Sequence, residues 1–235
     1  MYRYETHLHT LPVSRCAQAG VEESLRFYKD RGYDGVFITN HFLDGNINIR
    51  PEVPYKEKLD FYFSDYELAL RLGKAMGLKV FLGVELSYLG TDFLIYGLEK
   101  EWYYAHPEIM DMPKSRELAF MMEAGALVVH AHPFRDARYI DHVRLFPKCV
   151  HAVEVVNANR TEFENRMAKE YAQNYGLLEF AGSDNHLGPR VQAVAGIQTH
   201  VPLETEQDLK ALVLAGKTAV FHLHRQEWEE AQNKK

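Results

Sequence analysis

At 235 residues with 46% apolar side chains, the chain can bury a sizeable core, as one barrel or as two small domains. A formal charge of -6 argues against general affinity for nucleic acid or anionic membranes, yet leaves room for an anionic substrate held by a few arginines. With no N-terminal apolar leader and no apolar run long enough to span a bilayer, neither a signal peptide nor a membrane span is expected, and the cytoplasm is the expected location.

Residues 2–9 read as a first strand, followed by a loop through Pro12 and Gly20. Apolar positions at Val21, Leu25 and Phe27/Tyr28 predict a helix that stops at Gly32. A short buried strand over 35–39 ends at His41, and a long loop with Pro51 and Pro54 leads to a helix over about 60–76. Strands follow at 79–85 and 92–97, and Pro113 opens a helix to about Ala124. Residues 126–130 read as strand, 136–145 as helix, 152–156 as strand and 161–175 as helix ending at Gly176. A strand at 178–181, another near 193–198, a helix at 204–215 and a strand at 218–222 complete the order, before a polar tail at 225–235. Continuous apolar strands alternating with helices predict parallel strands buried on both faces, in one barrel-like domain of about seven strands spanning 1–235.

Chemistry-bearing residues recur where these strands end. In His7-Leu8-His9 the two imidazoles project to one side, roughly 6–7 Å apart along a strand, as a metal site requires. Asn40-His41, Glu85, His130-Ala131-His132 and Asp184-Asn185-His186 each follow an apolar run. Strand C-terminal ends are where such barrels place their active sites. Imidazole with carboxylate suits zinc, manganese or iron and argues against calcium. Two ions sharing a water would lower its pKa and stabilise charge on a phosphoryl group during in-line displacement.

Taken in order, His7-x-His9-Thr10, Thr39-Asn40-His41, Gly83-Val84-Glu85, Ala131-His132-Pro133, Glu154-Val155-Val156-Asn157 and Gly182-Ser183-Asp184-x-His186 resemble the motifs of the PHP family, the polymerase and histidinol phosphatase phosphoesterases. The resemblance covers residues 4 to about 190. It implies an α/β fold, a distorted (β/α)7 barrel, with two or three divalent ions at its mouth. By motif, His7, His9, Glu85 and Asp184 would hold one ion and Glu85 with His132 a second. His41 and His186 would hold a third ion or meet the substrate phosphate. Three positions depart from the pattern. Ser14 and Arg15 stand where members carry an aspartate or a histidine, Asn40 stands where T-D-H is usual, and Leu98 occupies another ligand position. His130, two residues from His132, is expected to fill in at the second site, and the Arg15 guanidinium to sit where a third cation would.

Among the cations close to the motifs (Arg135, Arg160 and Arg190), Arg160 and Arg190 are the favoured phosphate ligands together with Arg15. Cys16 and Cys149 fit no metal or redox spacing and read as free thiols in a reducing cytosol. His222-x-His224 falls beyond the motifs and is expected not to bind metal; His106, His142, His151 and His200 read as surface or helix-end residues. Trp102-Tyr103-Tyr104 reads as packing or a lid. The expected activity is hydrolysis of a small phosphomonoester by a hydroxide bridging the ions, with His41, Asp184 and His186 at the reacting centre. No stable nucleic-acid partner is expected. The rival readings are a phosphodiesterase or nuclease on short nucleic acid or dinucleotides, a hydrolase of carbon–nitrogen or ester bonds, and a metal-binding domain without turnover.

Overall fold

The computed structural model describes residues 1–233, with side chains through residue 229. Strands β1 (Tyr2–Leu8), β2 (Gly35–Ile38), β3 (Lys79–Tyr88), β4 (Thr91–Tyr96), β5 (Leu127–Ala131), β6 (Ala152–Asn157) and β7 (Leu178–Gly182) lie side by side in chain order. The ring closes where Leu8 bridges to Asn185 just past β7, with Asn185 N–H donating to the His7 carbonyl (3.2 Å) and His9 N–H to the Asn185 carbonyl (3.1 Å). Strands β8 (Ala193–Thr199) and β9 (Thr218–His224) extend the sheet outward from the start of β1, giving nine strands among the described residues. The distorted seven-stranded barrel is therefore present, with a two-strand extension.

Helices α1 (Val21–Asp30), α2 (Tyr55–Met76), α3 (Lys100–Ala105), α4 (Lys114–Glu123), α5 (Glu162–Tyr175), α6 (Glu206–Leu214) and α7 (Arg225–Asn233) accompany the sheet. Successive side chains of a strand point to opposite faces, and here both faces are covered. In β2, Val36 and Ile38 join the core with Leu25 and Tyr28 of α1, while Phe37 joins Phe81 and Tyr96. In β4, Phe93 and Ile95 pack with Phe63 and Tyr103, while Leu94 and Tyr96 pack on the other side. That double burial is why the strands read as unbroken apolar runs. No described helix is long and apolar enough to cross a membrane.

Four expectations change. The strands are not all parallel: β4 pairs antiparallel with β3 and with β5, and β8 antiparallel with β1 and β9. Strand β3 runs on to Tyr88 and turns at Leu89 and Gly90, both at positive φ (49° and 89°). Two residues can reverse a chain but cannot carry a parallel crossover. The helix expected at 136–145 is an irregular loop, its start tied to α5 by Asp136 N–H donating to Glu164 (2.8 Å). Helix α2 begins at Tyr55, directly after Pro54, and α3 was not anticipated. The polar stretch 225–235 is helical over Arg225–Asn233, anchored by Trp228 against Phe27 and Arg31; residues 234 and 235 lie outside the described residues.

Candidate metal centre

The barrel mouth gathers one or two side chains from each of five chain segments. His7 comes from β1, and His9 follows it by one residue. His41 comes from just past β2, where it bridges to Glu85 of β3. His132 and Asp184 follow β5 and β7 at positive φ (26° and 52°), a backbone region that non-glycine residues enter at a cost and that concentrates at functional sites. His7 Nε2 lies 3.2 Å from Glu85 Oε1 and 3.6 Å from Asp184 Oδ1. His9 Nε2 is 3.4 Å from Glu85 Oε2 and from Asp184 Oδ1, and His132 Nε2 is 3.4 Å from Glu85 Oε1.

These contacts are mostly not hydrogen bonds. His41 Nδ1 lies 2.6 Å from Glu85 Oε2, but the Nε2 atoms of His7, His9 and His132 and Oε1 of Glu85 are buried without a hydrogen-bond partner. Orphaning so many polar atoms in one place would be expensive. A divalent ion coordinated by imidazole and carboxylate satisfies them together, so the residues fit the cofactor the motifs imply. Charge points the same way. Burial disfavours ionisation of Glu85 and Asp184, but the surrounding histidines outweigh it and hold both well below the usual carboxylate range. Burial likewise disfavours a charged His7, yet Glu154, Asp184 and Glu85 raise its pKa, so the cluster draws in positive charge. Among the described residues, three overlapping sets have ligand atoms within 4.8 Å of one another: His7–His9–Asp184, His7–Glu85–His132 and His9–His41–His186.

A second layer fixes which nitrogen faces the cluster. Fully buried Glu154 accepts from His7 Nδ1 (2.9 Å), His132 N–H (3.0 Å) and Asn157 Nδ2 (2.8 Å), leaving the His7 Nε2 lone pair free. At His9 the same task falls to two of the departures from the motif. Ser14 Oγ donates to Asn40 Oδ1 (2.8 Å), so it accepts from His9 Nδ1 (3.2 Å) and from His41 N–H (3.1 Å). Asn40 also donates to Asp65 (3.1 Å), which an aspartate in its place would repel.

Other expectations sort by position. Arg160 lines the mouth 4.0 Å from Asp184, and Arg135, weighed but not favoured, also lines it, paired with Asp92 at 2.9 Å. Arg15 is exposed and does not line the mouth; its position beside Ser14 points it to solvent. Arg190 holds the Gln18 carbonyl (2.8 Å) and Glu23 (3.6 Å) away from the cluster. His130 is also separated from it. Because β5 ends at Ala131 and His132 turns at positive φ, the two histidines do not share a face. His130 stacks on Phe93, hydrogen-bonds Thr91 (2.8 Å) and is pushed down to about 3 by burial and by His132. Leu98 is buried in the core, past the end of antiparallel β4 that lies away from the mouth. The end at the mouth presents Asp92, 3.9 Å from His132 Nε2. His222 and His224 sit on β9 outside every candidate ligand set, and Tyr103 of the aromatic run is core packing.

Sequence reading missed Cys16. Its half-buried thiol lines the mouth and contacts the imidazoles of His186 and His41. Burial raises its pKa, but the two imidazoles outweigh that and bring it down to about 6. No spacing rule pointed to it. Glu154 stood within a quoted motif but without a role. Ser14 was named as a departure from the ligand pattern but without a role, and Asp92 carried no local signal.

Residues 162–218 match the PHP-associated family. A two-domain protein from Bacteroides vulgatus, described as containing a predicted PHP-like metal-dependent phosphoesterase, superposes with a TM-score of 0.68 at 14% identity. This chain is covered over 95% of its length and spans 65% of that protein. The fold is PHP-like. PsfC from Pseudomonas syringae shares it with a TM-score of 0.60 at 16% identity, over 100% of this chain and 96% of PsfC. So does a protein from Bifidobacterium adolescentis described as a candidate metal-dependent phosphoesterase (TM-score 0.57, 13% identity, 90% and 95% covered). No curated protein matches the chain. Within this fold, the mouth is the end where the segments just past β1, β2, β5 and β7 deliver His9, His41, His132 and Asp184.

Proposed function

We propose that this chain is a metal-dependent phosphoesterase acting on a small phosphomonoester. The observation that carries the reading is the ligand cluster with its orphaned atoms beneath a cavity of about 810 Å³ whose wall is lined by His41, Asp184 and His186 together with Arg160. Divalent ions held by His7, His9, Glu85, His132 and Asp184 would supply a water of lowered pKa and a Lewis acid for phosphoryl oxygens. Arg160 stands beside Asp184 with its Nε buried and unpartnered, so its guanidinium has donors to spare for phosphate oxygens. Arg135, fixed by Asp92, adds positive charge on the same wall. Ser14, Asn40 and Glu154 hold the ligand histidines in one tautomer. The cavity suits a small ester, and Asp44, Asp92 and Asp184 in its lining disfavour a long polyanion. The descriptions of the Bacteroides and Bifidobacterium neighbours agree with this reading.

The test is phosphate release from a panel of monoesters by manganese- or zinc-loaded protein. Turnover is expected to require metal and to vanish in His9→Ala. Arg160→Ala is expected to lower kcat/KM roughly ten- to a hundredfold, the worth of a charge-assisted hydrogen bond of about 1.5–3 kcal/mol. No release from any ester, with metal bound, would overturn the reading. Mononucleotides released from a dinucleotide or short oligonucleotide assayed alongside, without free phosphate, would move it to phosphodiester substrates.

A further inference from the structure

Two large apolar side chains line the same cavity as His41, Asp184 and His186 yet stay in the open: Tyr139 is 72% exposed and Leu89 64%. Leu89 occupies the β3–β4 turn at φ 49°, where glycine or asparagine would cost less and where its side chain gains no burial. A single exposed apolar residue is ordinary, but two lining one cavity, one of them on strained backbone, mark a surface kept for a ligand. Both are fixed in place. Arg144 Nη1 donates to the Leu89 carbonyl (2.7 Å) and Arg135 Nη2 to the Gly90 carbonyl (3.4 Å). Ile140 packs so closely on Gly90 that a Cβ there would lie 2.8 Å from it, which ties the irregular loop carrying Tyr139 to the turn carrying Leu89. The Arg135 guanidinium lies over the Tyr139 ring, 5.8 Å from its centre. Among the described residues, the carboxylates lining the cavity are already committed: Asp44 to Lys114 (2.7 Å) and Ser87 N–H (3.2 Å), Asp92 to Arg135 (2.9 Å) and Asp184 to the histidines. None is left to recognise a cationic group.

We infer that Tyr139 and Leu89 bind the alcohol part of the ester and select one that carries a planar aromatic group, such as a nucleobase or an aryl ring. The inference rests on the proposed phosphoesterase reading and names its substrate class. A cavity of about 810 Å³ is the size of pockets that enclose drug-sized ligands, so a phosphate held beside Arg160 leaves most of it for the alcohol. Aromatic faces attract planar groups by offset stacking, and the guanidinium over the ring helps to hold its orientation. Leu89 covers part of the same group and excludes water from it. A saturated alcohol of equal bulk would gain burial on this wall but no stacking.

Pairs of esters with matched leaving oxygens test it. Metal-loaded protein is assayed on adenosine 5′-monophosphate against ribose 5-phosphate, and on benzyl phosphate against cyclohexylmethyl phosphate. Wild type is expected to favour the aromatic member of each pair in kcat/KM, by roughly 5- to 150-fold for the nucleotide, with most of the difference in KM. Tyr139→Ala is expected to bring both ratios close to one and Tyr139→Phe to restore them; because Tyr139 is exposed, neither change disturbs the core. Leu89→Asn, which suits positive φ and so preserves the turn, is expected to raise KM for the aromatic esters. Phosphate release with equal kcat/KM within either pair, or a preference that survives Tyr139→Ala, overturns the inference and leaves the phosphoesterase reading standing. An unchanged KM in Leu89→Asn overturns the part given to Leu89. No phosphate from any ester overturns that reading and the inference with it.

Discussion

Glu154→Gln isolates the second layer of the centre from the ligands themselves. The carboxylate accepts His7 Nδ1 on Oε1 and both His132 N–H and Asn157 Nδ2 on Oε2. A glutamine must place its NH2 on one side or the other. Toward His132 and Asn157 it would face two donors, so the amide is expected to turn its nitrogen to His7. His7 then accepts on Nδ1 and carries its proton on Nε2, the atom 3.2 Å from Glu85 and 3.6 Å from Asp184. The nitrogen that should coordinate is thereby blocked by a proton. Losing such a support costs roughly ten- to a hundredfold in metal affinity, or about 1.4–2.8 kcal/mol. Metal-free stability is expected to change less, because the new Nε2–H can donate to Glu85. Competition with a chromophoric chelator measures the first quantity and urea denaturation of stripped protein the second. A variant that matches wild type in metal affinity would refute the tautomer argument. One that loses metal-free stability as fast as affinity would show that Glu154 is only structural.

Two further outcomes follow from packing and burial. Gly182→Ala is expected to cost about 1–3 kcal/mol in urea denaturation, since its Cβ would lie against the His7 Cβ and 2.8 Å from Glu154 Oε1, both held in the sheet; an unchanged midpoint would mean that β1 yields. Fully buried Glu5 has its pKa raised to about 7 by desolvation, which hydrogen bonds from Ser183 and His7 N–H only partly offset. Its contribution is therefore complete below the ordinary carboxylate pKa and is lost as pH rises from about 4.5 to about 7. The loss is at most about 3 kcal/mol at 1.36 kcal/mol per unit. Stripped Glu5→Gln protein should show a flatter decline across that window than wild type, and an equal slope would refute the assignment.

Much of the site was legible because coordination chemistry is local in sequence. His7 and His9 share a strand end, and Glu85, His132 and Asp184 each close an apolar run that the barrel brings to its mouth. The same reasoning failed where chain direction or backbone conformation intervened. His130 seemed to share a face with His132 until positive φ at His132 turned the two apart. Leu98 seemed to mark an absent ligand until the tight turn at Leu89 and Gly90 reversed β4 and put Asp92 at the mouth instead.

By itself, the sequence determined the α/β class, the burial of strands on both faces and the principal imidazole–carboxylate set. These follow from side-chain period and residue type, which do not depend on distant contacts. Only the tertiary structure decided which arginine reaches the cavity and which thiol joins the histidines. Neighbouring residues of a loop point in unrelated directions, so Arg15 lies in solvent while Cys16 meets His41 and His186. Nor can residue spacing reveal that Ser14 and Asn40 together orient His9. That network exists only because barrel closure brings the loop after β1 against the end of β2.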